Sequence, residues 1–193
     1  MKKLIAAAAV LLCCLSANAQ IVAGVGYSRT TINEKLASVE YGPFFNNAFY
    51  AELGYDLSVN HRTSILAMAQ AGTYIGNDEA KISMCNKDGN FYLKVPVYAK
   101  YIVAADSDFK LFVYGGPEYY YTLSNSNNGF GWVPGRVKRS NVSIGAGIGG
   151  DILKHYRVKI GYDWGLLNEY VDDMNGNLTC HSNDFNIGVS YVF

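Results

Sequence analysis

Between Phe185 and Phe193 an apolar or aromatic side chain occupies every second position (Phe185, Ile187, Val189, Tyr191, Phe193), with Asn186, Gly188 and Ser190 between them. A period of two marks a β-strand with one greasy face. The same period recurs upstream and predicts about eight strands, the count of the smallest membrane barrels. The first covers Ile21 to Thr30, with Ile21, Ala23, Val25 and Tyr27 on one face. The second, Ala48 to Ser58, sets Phe49, Ala51, Leu53, Tyr55 and Leu57 against Tyr50, Glu52, Gly54 and Asp56. The third, Arg62 to Ile75, is blurred because Ile65 to Ala69 is apolar on both faces. Phe91 to Ile102, Phe109 to Thr122, Asn141 to Ile152 and Tyr156 to Leu166 follow, and the Phe185 to Phe193 segment is the eighth.

An amphipathic strand is not stable alone in lipid, where every unpaired backbone N–H and C=O is costly, so such strands must close into a barrel. Short connections are expected at Val59 to His61, Val103 to Asp108 and Leu153 to His155; long ones at Thr31 to Asn47, Gly76 to Asn90, Leu123 to Ser140 and Leu167 to Ser182. An even strand count with short turns at one end and long loops at the other is the outer-membrane pattern, the short turns and both termini being periplasmic. The expected fold is therefore all-β, an eight-stranded antiparallel up-and-down transmembrane β-barrel in the cell outer membrane.

One strand face collects Glu52, Asp56, Lys94, Lys100, Glu118, Asp151, Arg157, Lys159 and Asp163 with most strand glycines, while the other is nearly free of charge. A soluble periplasmic barrel that binds a ligand, lipocalin-like, would show the same alternation turned inside out, so the pattern alone leaves both open. Aromatics at strand ends (Tyr27, Tyr55, Tyr101, Tyr119 to Tyr121, Tyr162, Trp164, Tyr191, Phe193) suit the girdles of a membrane interface. Gly145, Gly147 and Gly149 on the charged face leave room for long side chains in a narrow lumen. Both features favour charges inside.

Residues 1–19 read as a secretory signal: Lys2 and Lys3, then apolar Leu4 to Leu15, then Ala17-Asn18-Ala19 before Gln20. The apolar run falls short of the roughly 20 residues that a spanning helix needs. A lipoprotein would need a small residue before the acylated Cys, but Leu12 precedes Cys13 and Cys13 precedes Cys14. The barrel domain is then residues 20–193, 174 residues as 193 less 19. Losing two lysines leaves 14 Lys and Arg against 16 Asp and Glu, a formal charge of −2. Nothing in that balance points to nucleic acid.

The run Phe91-Tyr92-Leu93-Lys94-Val95-Pro96-Val97-Tyr98-Ala99-Lys100-Tyr101, with Leu111-Phe112-Val113-Tyr114-Gly115-Gly116-Pro117 after it, resembles two motifs of the PorT-like outer membrane protein β-barrel domain family. These are Y-L-x-I/V-P-L-x-x-K-Y and Y-x-G-x-G-P. Gly145 to Gly149 and Gly161 to Leu166 are similar to its glycine-rich sixth and Y-x-x-G-L seventh strands. The resemblance spans essentially the whole chain after the signal and implies the fold; it implies little about biochemical activity. Lys94 stands where the family often carries an acid. Pro96 inside a central strand should mark a bulge. The alternation ending on Tyr191 and Phe193 also resembles the C-terminal signature of bacterial outer-membrane barrels, which implies recognition by the barrel assembly machinery.

Four bases and five acids on the charged face nearly cancel, and ions in a narrow lumen must pair or stay hydrated. A conducting pore or proton relay is one reading; a salt-bridged plug fits eight strands better. Cys85 and Cys180 fall in the second and fourth long loops and would restrain both if bridged, provided their Cα atoms come within about 7 Å. A metal site using Cys180 and His181 lacks a second ligand pair at the usual spacing. A lipid-modifying outer-membrane enzyme would need a nucleophile, base and orienting group together, but His61 and His155 fall in turns, and His181 and Ser182 point to opposite faces of a strand. Glu169, Asp172 and Asp173 are loop acids that could hold a lipopolysaccharide-bridging cation. The loop holding Trp132, Arg136, Lys138 and Arg139 is the better contact for a partner or for lipid phosphates. The expected function is a small outer-membrane barrel with a plugged lumen, no cofactor, and a structural or adhesive role carried by its extracellular loops. Its expected partners are outer-membrane lipid, lipopolysaccharide and an extracellular partner that the sequence does not identify.

Overall fold

The computed structural model describes residues 19–37, 39–75, 83, 85, 87, 90–123, 135–172 and 178–193. Among them are ten strands: β1 (Ala19–Leu36), β2 (Val39–Ser58), β3 (Thr63–Ile75), β4 (Phe91–Ala105), β5 (Phe109–Thr122), β6 (Gly135–Val137), β7 (Ser140–Ile152), β8 (Tyr156–Gly165), β9 (Tyr170–Asp172) and β10 (Leu178–Val192). Eight of these close an all-antiparallel barrel in the order β1, β10, β8, β7, β5, β4, β3, β2. Closure comes from β1 pairing with β10, Val22 opposite Val192 and Tyr27 opposite Ile187. The closed barrel itself has no unpaired edge among the described residues, as lipid requires.

The faces follow the alternation. Phe49, Leu53, Val95, Val113, Ile148, Ile160 and Val189 are exposed on the outside, while Glu52, Lys94, Glu118, Arg157, Lys159 and Asp163 are buried inside. The two faces of β3 separate cleanly, with Ile65 outside and Leu66, Met68 and Gln70 inside. Lumenal glycines sit where large side chains cross the barrel. A Cβ on Gly145 would lie 2.7 Å from Asp163 Oδ1 and 2.8 Å from Glu118 Oε1, and one on Gly72 would strike the Tyr92 ring at 2.5 Å.

Four expectations need correction. Thr31 to Asn47 is not a long loop: β1 and β2 pair up to Leu36 and Val39, so the strands rise together as one tall hairpin. The eighth barrel strand likewise starts at Leu178, not Phe185, and the third and fourth loops pair through β6 and β9. Pro96 marks no bulge. Partner numbers keep one register on both sides of it, and the bulge lies between Ile102 and Ala104. A proline removes one N–H donor without adding a residue to the strand. Finally, Tyr120 is 7% exposed and faces the lumen, with its ring 5.3 Å from that of Tyr92, so it is not part of a girdle.

Candidate functional site

The nine charges expected inside are brought together in layers along the barrel axis. Nearest the short turns, Arg157 donates from Nε to Asp151 Oδ1 at 2.6 Å and from Nη2 to Asp56 Oδ2 at 2.6 Å. Lys100 Nζ donates to the same Asp56 oxygen at 2.5 Å. Both cations lie over the Phe112 ring, at 4.9 and 5.2 Å. One level up, Lys159 Nζ pairs with Glu52 at 2.7 Å, and Ser190 Oγ and Gln70 Nε2 also donate to that carboxylate.

Above this sits the most crowded layer. Lys94 Nζ reaches Asp163 at 2.6 Å, Asp184 at 3.2 Å and Glu118 at 3.3 Å. One ammonium thus serves three carboxylates, which also accept hydrogen bonds from Tyr98 and Ser143 on Glu118, Asn186 on Asp163 and Thr30 on Asp184. Strands from all sides of the barrel contribute, so each layer ties distant strands together with charge-assisted bonds. Two internal spaces among the described residues of this ladder measure about 10 Å³ each, room for about one water apiece.

The long-loop end carries a further layer that sequence reasoning missed. Lys87 Nζ pairs with Glu169 at 2.9 Å and donates to Ser182 Oγ at 2.8 Å. Asn141 Nδ2 donates to Glu169 at 2.7 Å. Burial is the largest single influence and pushes the Lys87 ammonium toward neutrality, but the charge and hydrogen bond of Glu169, with Tyr120 and Asp184 nearby, together outweigh it and hold the pKa above the ordinary value. Glu169, expected as a loop acid for a lipopolysaccharide-bridging cation, is instead a buried ion-pair partner, 3% exposed. Higher still, Ile32, Cys85, Tyr170, Leu178 and Cys180 form an apolar cluster. Beside it Glu34 accepts from Ser83 Oγ and from the Cys85 N–H. Cys85 and Cys180 sit sulfur to sulfur with Cα atoms 6.7 Å apart, inside the range a bridge requires. Cys180 lies on β10 opposite Glu34, which is how two cysteines from separated loops meet.

At the opposite end a polar vestibule of about 610 Å³ opens below the first layer, lined in part by Asp56, His61, Ser64, Lys100 and Asp151. Asp56 Oδ1 and Ser64 Oγ there, and Arg157 Nη1 above it, have no protein partner among the described residues.

Of the remaining candidates, Trp132 and Asp173 lie outside the described residues. Arg136 pairs through its backbone with Val171 in the β6–β9 ribbon. Lys138 is exposed and its Nζ donates to the Asn168 carbonyl at 2.9 Å. Arg139 is exposed and its backbone carbonyl accepts from the Thr122 N–H. Ser182 faces inward onto Lys87 and Glu169, while His181 takes the other face. Tyr191 is on the lipid face, packed against Phe193 and stacked on His155.

A closed antiparallel barrel, apolar outside and charged within, defines a transmembrane β-barrel protein. The family model described as the outer membrane protein beta-barrel domain matches residues 5–193, and the chain belongs to that family and to the outer membrane. Solved structures of similar fold include Ail, the attachment invasion locus protein of Yersinia pestis, at 13% identity over 89% of this chain and 98% of that one, TM-score 0.44. Neisserial surface protein A is similar at 9% identity over 89% and 97% of the chains, TM-score 0.49. OprG of Pseudomonas aeruginosa is similar at 11% identity over 90% and 95%, TM-score 0.48. No curated protein shows significant sequence similarity to the chain.

Proposed function

We propose that this protein is a non-conducting, non-enzymatic element of the outer membrane that acts through its extracellular end. The observation that carries the reading is the ladder of ion pairs from Asp151 and Arg157 up to Lys87 and Glu169, continued by the apolar cluster around Cys85 and Cys180. A solute would have to separate buried, mutually bonded charges at every level, each separation costing several kcal/mol. The rigid mouth then presents the β1–β2 hairpin and the β6–β9 ribbon as a fixed platform for an adhesive contact, with Lys138 and Arg139 at its edge toward lipid phosphates. Secretion by cleavage after Ala19, and insertion by the barrel assembly machinery through the strand bearing Tyr191 and Phe193, belong to the same reading. The test is conductance in planar bilayers. Purified folded protein should give no steady current steps, whereas a stable ohmic channel from the wild-type chain would overturn the plug.

A further inference from the structure

The lipid-facing surface of β1 to β4 is not evenly covered. Register places Val25, Ala51, Ala71 and Leu93 in one row across these strands, and Tyr27, Phe49, Thr73 and Phe91 in the next row toward the long loops. The small side chains fall in the middle, between Phe49 on one side and Phe91 and Leu93 on the other. With Ile187 and Val189 of β10 and Leu123 completing the lining, they form a furrow of about 800 Å³, inside the roughly 300–1,000 Å³ range of ligand sites.

The surface changes character at the furrow's long-loop end. Arg29 stands one repeat beyond Tyr27 on the same face, in the row of Asn47 and Ile75. Its guanidinium lies 4.4 Å over the Phe45 ring. It is exposed, and no carboxylate pairs with it among the described residues. Stacking fixes the plane of the guanidinium and leaves its N–H fork available, the arrangement suited to a phosphate. Beside it, Asn47 Oδ1 accepts from the Tyr27 hydroxyl at 2.6 Å, which leaves the Nδ2 of Asn47 as a second donor. From Tyr27 down to the short turns, the outward side chains of β1 to β4 carry no charge.

We propose that the furrow seats an acyl chain of lipopolysaccharide, with a lipid A phosphate held by Arg29. The furrow lies in the long-loop half of the barrel and so faces the outer leaflet. An unpaired cation directly above an apolar trough complements an amphiphile whose anionic group adjoins its chains. This site depends on the outer-membrane location and is independent of whether the lumen conducts.

The test is native mass spectrometry of the folded protein released from detergent, with diphosphoryl lipid A, dephosphorylated lipid A and phosphatidylglycerol as probes. Heat-modifiable migration establishes that each variant is folded. Arg29→Gln should weaken retention of diphosphoryl lipid A about tenfold, the loss of one charge-assisted contact, and abolish its advantage over the dephosphorylated form. Ala51→Phe, which fills the trough from a lipid-facing position, should weaken both forms. Ile148→Phe, on the lipid face across the barrel, should match wild type. Wild-type retention by either Arg29→Gln or Ala51→Phe would overturn the site, as would phosphatidylglycerol binding as tightly as lipid A. A dimer that Ala51→Phe converts to monomer, with lipid A retention unchanged, would assign the furrow to a second copy of the chain instead.

Discussion

The pair Lys159 and Glu52 offers a direct measure of what holds the barrel interior. The two side chains enter the lumen from β8 and β2, meet at 2.7 Å and are 7% and 0% exposed. Lys159→Met removes the cation and leaves Glu52 its hydrogen bonds from Ser190 at 2.6 Å and Gln70 at 3.0 Å. Breaking one side of a buried pair costs about 3–5 kcal/mol. The two remaining donors, at about 1 kcal/mol each, place this variant at the low end of that range. Glu52→Gln strands the Lys159 ammonium with no other carboxylate paired to it among the described residues, so its cost belongs in the same range of about 3–5 kcal/mol. The double variant puts two neutral side chains in the same space and should fall within about 1–2 kcal/mol of wild type. Reversible urea unfolding from lipid vesicles, followed by tryptophan fluorescence, gives all three values. If the two single costs add in the double variant to within about 0.5 kcal/mol, the residues do not interact and the lumenal ladder is misdescribed.

Ile160 is on the lipid face near mid-barrel, level with Ile148 and Ile187, and Ile160→Arg should cost about 2–4 kcal/mol in the same assay. Gly54→Ala should destabilise far more than Gly115→Ala, by roughly 1–3 kcal/mol. A Cβ on Gly54 would overlap the Ala67 carbonyl oxygen and come within 2.7 Å of Met68 Cα, backbone that cannot step aside, whereas Gly115 has its nearest neighbour at 3.2 Å. If Cys85 and Cys180 are bridged, alkylation without reductant should label neither, and reduction should slow the unfolded chain on electrophoresis; labelling of both would remove the bridge. Because the Lys87 pKa is raised above 10.5, the contribution of its pairing with Glu169 is complete below that value and is lost only as pH rises beyond it. Loop proteolysis that increases between pH 6 and 9 would contradict that pairing.

The barrel wall was legible because lipid outside and a narrow lumen inside impose opposite demands on alternate residues, and nothing else in the chain produces nine charges on one face and almost none on the other. That constraint ends where the wall leaves the membrane. Along the upper β1–β2 hairpin Ile32, Glu34 and Leu36 mix apolar and charged residues on one face while Asn33 and Lys35 are exposed on the other, so the period of two fades although the strands continue. The pairing of Lys87 with Glu169 was not legible for a similar reason: each sits in a segment without periodicity, so nothing in the pattern marks either as buried. Asp184 was within reach, since extending the inward parity of Gly188 and Asn186 by one step places it beside Lys94. Tyr120 was misplaced because three consecutive tyrosines, Tyr119 to Tyr121, cannot all face one way on a strand.

Accessibility of single spin labels in vesicle-inserted protein measures at once the lipid-facing exterior and the proposed filled interior. Labels at Ile144, Ile160 and Ile187 should be relaxed by dissolved oxygen but not by a water-soluble nickel chelate. Labels at Ser143 and Asn186, on the lumenal face, should be shielded from both reagents. Nickel relaxation at the lumenal positions would mean an open, water-filled channel, and oxygen relaxation there with nickel relaxation at the isoleucines would mean the barrel is turned the other way out.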